Sequence, residues 1–139
     1  MVGDRRRRYR PAVLRWITAA LCLVQGAYMA LDGARALVVG SYITPGSGEH
    51  AGELGPWARL VRAVGIPPES TGMKAAFVLF GAAWLAVAVG VAVRAEWAWI
   101  GGLVVAVGTL WYLVPGTVIS VAVLVLLLTP AGRRALGRE

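Results

Sequence analysis

This chain is poor in reactive side chains. Its 139 residues include one cysteine, Cys22, and one histidine, His50. A lone cysteine excludes an intrachain disulfide and a thiolate zinc cluster. A lone histidine leaves Ser70, Thr71 and Ser120 without a base at a useful spacing, so nucleophile-plus-base catalysis finds no support. No P-loop, G-x-G-x-x-G, H-E-x-x-H or C-x-x-C pattern occurs. His50 with Glu49 and Glu53 could offer a nitrogen and a carboxylate to a divalent ion. One histidine in a glycine-rich loop is more simply solvated, and the expectation is no metal, no cofactor and no catalytic residue.

Charge is scarce too. Only 15% of residues are charged and 58% are hydrophobic, against about 25% and about 45–50% in soluble domains. No charged residue occurs from Ala75 to Val93, nor from Trp97 to Thr129. A soluble domain of this size has too much surface to bury so much apolar side chain. Lipid is the expected solvent.

What charge there is lies unevenly. The net charge is +7, carried by Arg5, Arg6, Arg7, Arg8, Arg10 and Arg15 at one end and by Arg133, Arg134 and Arg138 at the other. The residues between balance. Such basic flanks remain cytoplasmic, so both termini are expected inside, the number of spans even, and nucleic acid is not expected as a partner.

The chain then divides into a basic cytoplasmic tail (1–10), a transmembrane domain (11–130) and a second basic tail (131–139). Within the domain, spans are expected at about 11–39, 68–93, 97–114 and 117–129, with an outer loop at 40–67. Pro11 suits a first helical position, and Gly40 suits a C-cap. A rival reading makes the first span a secretory signal cut at Ala34-Arg35-Ala36. Its apolar core is long for that, and Asp32 and Arg35 sit close to the cut. The run Trp97–Thr129 would measure about 50 Å as one helix, more than a hydrocarbon core of about 30 Å. Pro115-Gly116 after Trp111-Tyr112 therefore reads as the turn of a hairpin. Thr44-Pro45-Gly46-Ser47-Gly48 is turn-rich. Pro56 to Val64 reads as a short helix with Trp57, Leu60, Val61 and Val64 on one face. That face either lies in the membrane interface, where it could meet a partner, or closes the bundle's own end as a lid.

Small residues recur every fourth position at Gly26-Ala30-Ala34, Ala82-Ala86-Gly90 and Ala98-Gly102-Ala106, the pattern of close helix packing in lipid. The last span has few small residues and is expected to face lipid. Polar residues within spans are costly and face the protein interior. Thr18, Gln25, Tyr28, Asp32 and Arg35 recur at helical steps and form the candidate intramembrane stripe, with Asp32 and Arg35 placed to pair within the helix. Asp32 near the outer interface has an ordinary structural role open to it; a ligand or ion pathway is the alternative.

The segments Leu31-Asp32-Gly33-Ala34-Arg35-Ala36-Leu37, Tyr42-Ile43-Thr44-Pro45, Leu54-Gly55-Pro56-Trp57, Val64-Gly65-Ile66 and Leu110-Trp111-Tyr112-Leu113 resemble an uncharacterised family of small bacterial four-span integral membrane proteins. The likeness covers most of the chain. It implies four spans and a plasma-membrane address, and carries over no catalytic residue. Heavy use of Ala, Gly, Val and Arg, with Lys74 the one lysine, suits a high-GC bacterial genome.

The fold class expected is thus an all-α membrane protein: a four-transmembrane-helix bundle with a short amphipathic interfacial helix in the first extracytoplasmic loop. The function expected is a non-catalytic membrane subunit that binds lipid, a partner membrane protein or a second copy. A small oligomeric transporter or channel using the stripe is the alternative, and a membrane enzyme acting on lipid or quinone the second alternative.

Overall fold

The computed structural model describes residues 2–44, 54–112 and 115–137, with side chains described from Pro11 onward except at Pro115. Those residues form six helices and no strand: α1 (Val2–Val39), α2 (Pro56–Ala63), α3 (Thr71–Ala92), α4 (Trp97–Gly108), α5 (Pro115–Leu128) and α6 (Pro130–Ala135). His50, Glu49, Glu53 and most of the turn-rich stretch after Thr44 lie outside the described residues, as do Leu113 and Val114.

Two helices are long and apolar enough to cross a membrane: Pro11–Val39 within α1, and Thr71–Ala92. They pack against each other as the principal pair of the fold. The reason is an absence of side chain at the contact. A methyl added at Gly26 would lie 2.8 Å from the backbone N of Leu85, and one at Gly33 2.7 Å from Cβ of Phe77. A methyl at Gly81 would strike the backbone of Ala30. Backbones this close exchange dispersion energy that bulkier residues would forfeit.

The buried positions of α1 fall into three series seven residues apart: polar Thr18, Gln25 and Asp32; small Ala19, Gly26 and Gly33; and Cys22, Met29 and Ala36. Seven residues is two helical turns, so each series keeps one face. The facing set on α3 is Met73, Phe77, Gly81, Trp84, Ala88 and Val91. This corrects the small-residue expectation on that helix: Ala82 and Ala86 are exposed, and of that triple only Gly90 is buried. Their spacing matched, but they lie on the wrong face. On α4 the expectation holds, with Ala98, Gly102 and Ala106 all buried.

A tight turn joins α3 to α4. Arg94 adopts a left-handed conformation (φ 59°), while the amide of Ala95 donates to Gly90 O at 2.8 Å and that of Arg94 to Val91 O at 3.2 Å. This is a Schellman cap with arginine where glycine is usual. α4 and α5 form the expected hairpin. The Thr117 hydroxyl donates to Leu110 O at 2.9 Å, and Thr109 Oγ1 and Ser120 Oγ bond at 3.0 Å in the buried contact. Trp99 Nε1 donates to Leu127 O at 2.9 Å lower down. α5 does not face lipid throughout, because Gly116, Ser120, Val123 and Leu127 are buried along one side.

Four boundaries differ from expectation, one being the end of α4, which stops at Gly108 with Thr109 as its C-cap instead of running on to 114. α1 begins at Val2, so Pro11 stands inside the helix instead of at its first turn; the arginine run continues the same rod. α3 starts at Thr71, later than 68, because Ser70 caps it by accepting the Met73 amide at 3.2 Å. Residues 130–135 form a helix instead of a plain tail. Thr129 caps it, and Gly132, Ala135 and Leu136 are buried as it returns to α1. Two ends of the molecule follow. The loop end carries the close of α1, α2, the start of α3 and the α4–α5 turn; the basic end carries the start of α1, the Arg94 turn and α6.

Candidate functional site

The polar stripe of α1 separates into two parts. Thr18, Gln25 and Asp32 are buried, at 4%, 1% and 2% exposure, whereas Tyr28 and Arg35 are exposed. At 100° per residue, a step of three leaves Tyr28 and Arg35 about 60° round from the buried series, enough to bring them to the surface. The stripe is one inward polar line with an exposed edge.

Asp32 and Arg35 do not close on each other as the i, i+3 spacing led us to expect. Both reach forward to the chain that follows the helix. The Asp32 carboxylate accepts the amide of Ile43 at 2.6 Å. Arg35 Nη1 donates to the carbonyls of Ser41 (3.0 Å) and Tyr42 (2.8 Å). Lys74, from α3, donates to Gly40 O at 3.1 Å. The cause lies in Gly40, whose positive φ of 95° turns the backbone sharply and leaves loop amides and carbonyls without helical partners. Such groups demand partners when withdrawn from water, and the three charged side chains supply them.

Over this lock sits an aromatic cluster. Phe77 is fully buried at its centre, with ring centroids at 4.8 Å from Trp57, 5.0 Å from Tyr42, 5.2 Å from Tyr112 and 5.7 Å from Trp111. The Phe77–Tyr112 contact is edge-on at 83°, a favoured quadrupole arrangement. Tyr28 joins at the rim, 6.4 Å from Tyr112. The Tyr42 hydroxyl donates to Pro68 O at 2.8 Å. Burial first, and then the nearby Asp32 and Glu69 carboxylates, push the Tyr42 phenol well above its ordinary value. It therefore stays protonated and keeps donating.

α2 is the lid of this cluster. On its inner face Trp57, Ala58 and Val61 are buried, while Leu60 and Val64 are exposed at 39% and 69%. The four-residue face expected for α2 is thus divided: Trp57 and Val61 are spent on the molecule's own core, and Leu60 and Val64 remain outward. Gly65 (φ 85°) ends the helix in a second Schellman cap, with the Ile66 amide donating to Val61 O at 2.9 Å. Behind it, Arg62, Gly65, Ile66, Pro67, Pro68 and Glu69 line an open depression of about 430 Å³.

Deeper in the bundle, two donors are orphaned. Gln25 Nε2 and Trp84 Nε1 are buried without a hydrogen-bond partner. They lie at one level, because Gly26 packs on the Leu85 backbone. Trp84 was not singled out from sequence; nothing in an apolar run marks which tryptophan turns inward. The same holds for the Thr109–Ser120 pair.

Chemically, the loop end is a lock. Its carboxylate and guanidinium are engaged with backbone, and its phenol is held protonated. Among the described residues no group of three or more His, Cys, Asp and Glu is arranged to hold a metal ion. Cys22 is a buried free thiol. No protein-family model, curated protein or solved structure matches this chain.

Proposed function

We propose that this chain is a four-span integral membrane protein of a bacterial cytoplasmic membrane, with both termini inside, acting as a non-catalytic subunit that binds lipid or a partner membrane protein. One observation supports this above others: large apolar side chains face outward on four of the helices. Val24 and Leu31 on α1, Leu79 and Val89 on α3, Val104 on α4 and Val118 on α5 are each more than half exposed. Meanwhile Thr18, Gln25, Asp32, Thr109 and Ser120 are buried. Soluble monomers rarely expose contiguous apolar patches beyond about 300–600 Å², and lipid is the medium in which such a surface costs nothing.

α4 and α5 are shorter than α1 and α3, with 12 and 14 residues, or about 18 and 21 Å. In this reading the aromatic turn at Trp111–Tyr112 and the capped α6 complete their reach, and local thinning of the bilayer covers the remainder. A binding role is favoured over chemistry because the polar groups at the loop end are committed to backbone.

Topology is tested by impermeant maleimide on cells in a Cys22→Ala background. Ser41→Cys should react on intact cells, and Ala131→Cys only after lysis. Labelling of Ala131→Cys on intact cells would sink the four-span reading.

A second reading, a conduit, rests on the inward line Thr18–Gln25–Asp32 together with the orphaned donors of Gln25 and Trp84. It predicts ion flux in liposomes that Asp32→Asn abolishes. The subunit reading expects no flux from the wild-type protein.

A further inference from the structure

We propose that α6 is a detachable strap closing the basic-end mouth of the buried polar line Thr18–Gln25–Asp32. Arg133 on Trp99 and Arg94 at Gly137 pin it in place.

The register of the helices shows why a cover is needed there. Gly26 packs on the Leu85 backbone and Gly33 on that of Val78, so α1 and α3 run antiparallel. The last residue of α3, Ala92, then stands opposite Ala19. A methyl on Gly102 would meet both Leu127 and Val87, which sets Leu128 at the end of α5 roughly opposite Leu23. Thr18 lies past the ends of both neighbours, yet it is only 4% exposed, and Ala19 only 7%. One turn further out, the Nε of Arg15 is buried as well. α6 follows α5 and packs on α1, burying Ala135 and Leu136.

The strap is lightly held. Six residues are too few for a helix that stands alone in water. Thr129 is extended (φ −71°, ψ 150°) and Pro130 follows it, so the helical ladder is interrupted where α6 leaves α5. Its inward side chains are small apart from Leu136, with Gly132 set against the Leu126 carbonyl. Short elements with few buried contacts open locally well before the whole fold does.

Two cations secure it. The guanidinium carbon of Arg133 lies 5.5 Å from the Trp99 ring centroid, within cation–π range, and Trp99 is itself fixed on Leu127 O. Arg94 Nη2 lies 3.2 Å from the place of a Gly137 methyl, just past the carboxyl end of α6, where a cation is favoured. Arg94 also holds a left-handed φ of 59°, which glycine adopts without penalty. Its side chain gives a reason for arginine at that turn.

For the conduit reading α6 is the inner gate; for the subunit reading it seals the polar line from water at that end. The strap depends on how α6 packs and not on which side of a membrane it faces. Failure of the membrane reading would therefore leave it standing.

The test measures how fast a water-soluble maleimide modifies Thr18→Cys in the full chain, in a Cys22→Ala background, purified in mild detergent. Ala131→Cys, exposed on α6, gives the open rate. Ser120→Cys, buried in the α4–α5 hairpin, reports loss of the fold. With α6 intact, Thr18→Cys should react far more slowly than Ala131→Cys. Arg94→Gly and Arg133→Gln should each speed it by about two- to fivefold, the factor one exposed cation contact is worth. Ala135→Arg drives a charge into the contact with α1 and should bring Thr18→Cys to the open rate while Ser120→Cys stays silent. If Ser120→Cys reacts too, the bundle itself has opened, and the two arginine variants decide. Hydrogen exchange gives an independent reading: α6 amides should exchange at least about tenfold faster than those of α5. The strap is overturned if Thr18→Cys stays slow in every folded variant or already reacts at the open rate in the unaltered strap. Protection of α6 amides equal to that of α5 overturns it as well.

Discussion

The carboxylate of Asp32, at the last buried position of α1's polar line, accepts the backbone amide of Ile43 at 2.6 Å, eleven residues further along the chain. An intrahelical partner lay three residues away, yet the loop backbone takes the carboxylate. The buried carboxylate takes the nearest loop amide, whereas exposed Arg35 satisfies itself on the Ser41 and Tyr42 carbonyls. The pair is therefore a clasp on the loop.

That clasp separates two substitutions of Asp32. Asparagine retains an oxygen at the same place and should keep the loop docked. Leucine removes the charged acceptor of the Ile43 amide, a bond worth about 1.5–3 kcal/mol. Thermal unfolding in detergent should place Asp32→Leu well below Asp32→Asn. Equal midpoints would remove the clasp.

α2 should respond to substitution according to face. Trp57, 4% exposed among four aromatic neighbours, should cost about 3–5 kcal/mol when truncated to alanine and release the lid. Limited trypsin digestion at Arg59 and Arg62 reads this directly. Val64→Ser, on the outward face, should change stability by less than about 0.5 kcal/mol. Protection of the two arginines in Trp57→Ala would mean that α2 is held by something else.

The principal helix pair makes a paired prediction. Gly81→Val drives a branched side chain into the Ala30 backbone and should lower folded yield severely. Ala82→Val, one residue on but exposed, should be tolerated. Comparable yields of the two variants would mean that α1 and α3 do not meet through this face.

Gln25 makes the opposite prediction, a gain. Its Nε2 is buried without a partner, and replacing an unsatisfied buried amide by an apolar group of similar shape is neutral or stabilising. Gln25→Met should raise the thermal midpoint, by the equivalent of about 1 kcal/mol. A marked fall would show that the amide has an acceptor in the working protein, and would favour the conduit reading.

Much of the helical organisation was legible beforehand. The charge-free runs, Gly40 at the end of α1, the break between the spans ending at 93 and starting at 97, and the hairpin at Pro115-Gly116 all follow from local chemistry that needs no partner. The Ala98-Gly102-Ala106 face was legible too, because a tight α4 contact requires small residues wherever it falls. The Ala82-Ala86 face misled for the same reason: alanine is frequent, and spacing alone does not say which of two small-residue stripes a neighbour will meet. Pro11 misled because proline inside a helix and proline at its start look alike in sequence.

The candidate site was half legible. Periodicity picked out Thr18, Gln25 and Asp32, since a seven-residue repeat holds one face of any helix. It included Tyr28 and Arg35 because a three-residue step is close to a turn, yet that 60° remainder decides burial. Tyr42, Phe77 and Trp84 escaped notice because their partners are distant in the chain.

The sequence by itself determined where the long apolar helices lie, which stretches need an apolar surrounding and which end of the molecule is positive, because each of these depends on residues close together along the chain. Only the tertiary structure decided that Asp32 and Arg35 clasp the loop, that α2 buries Trp57 and Val61 as a lid, and that α1 meets α3 through bare backbone. Those outcomes depend on which surface a neighbouring helix presents, and close packing discriminates between faces that hydrophobicity alone makes equivalent.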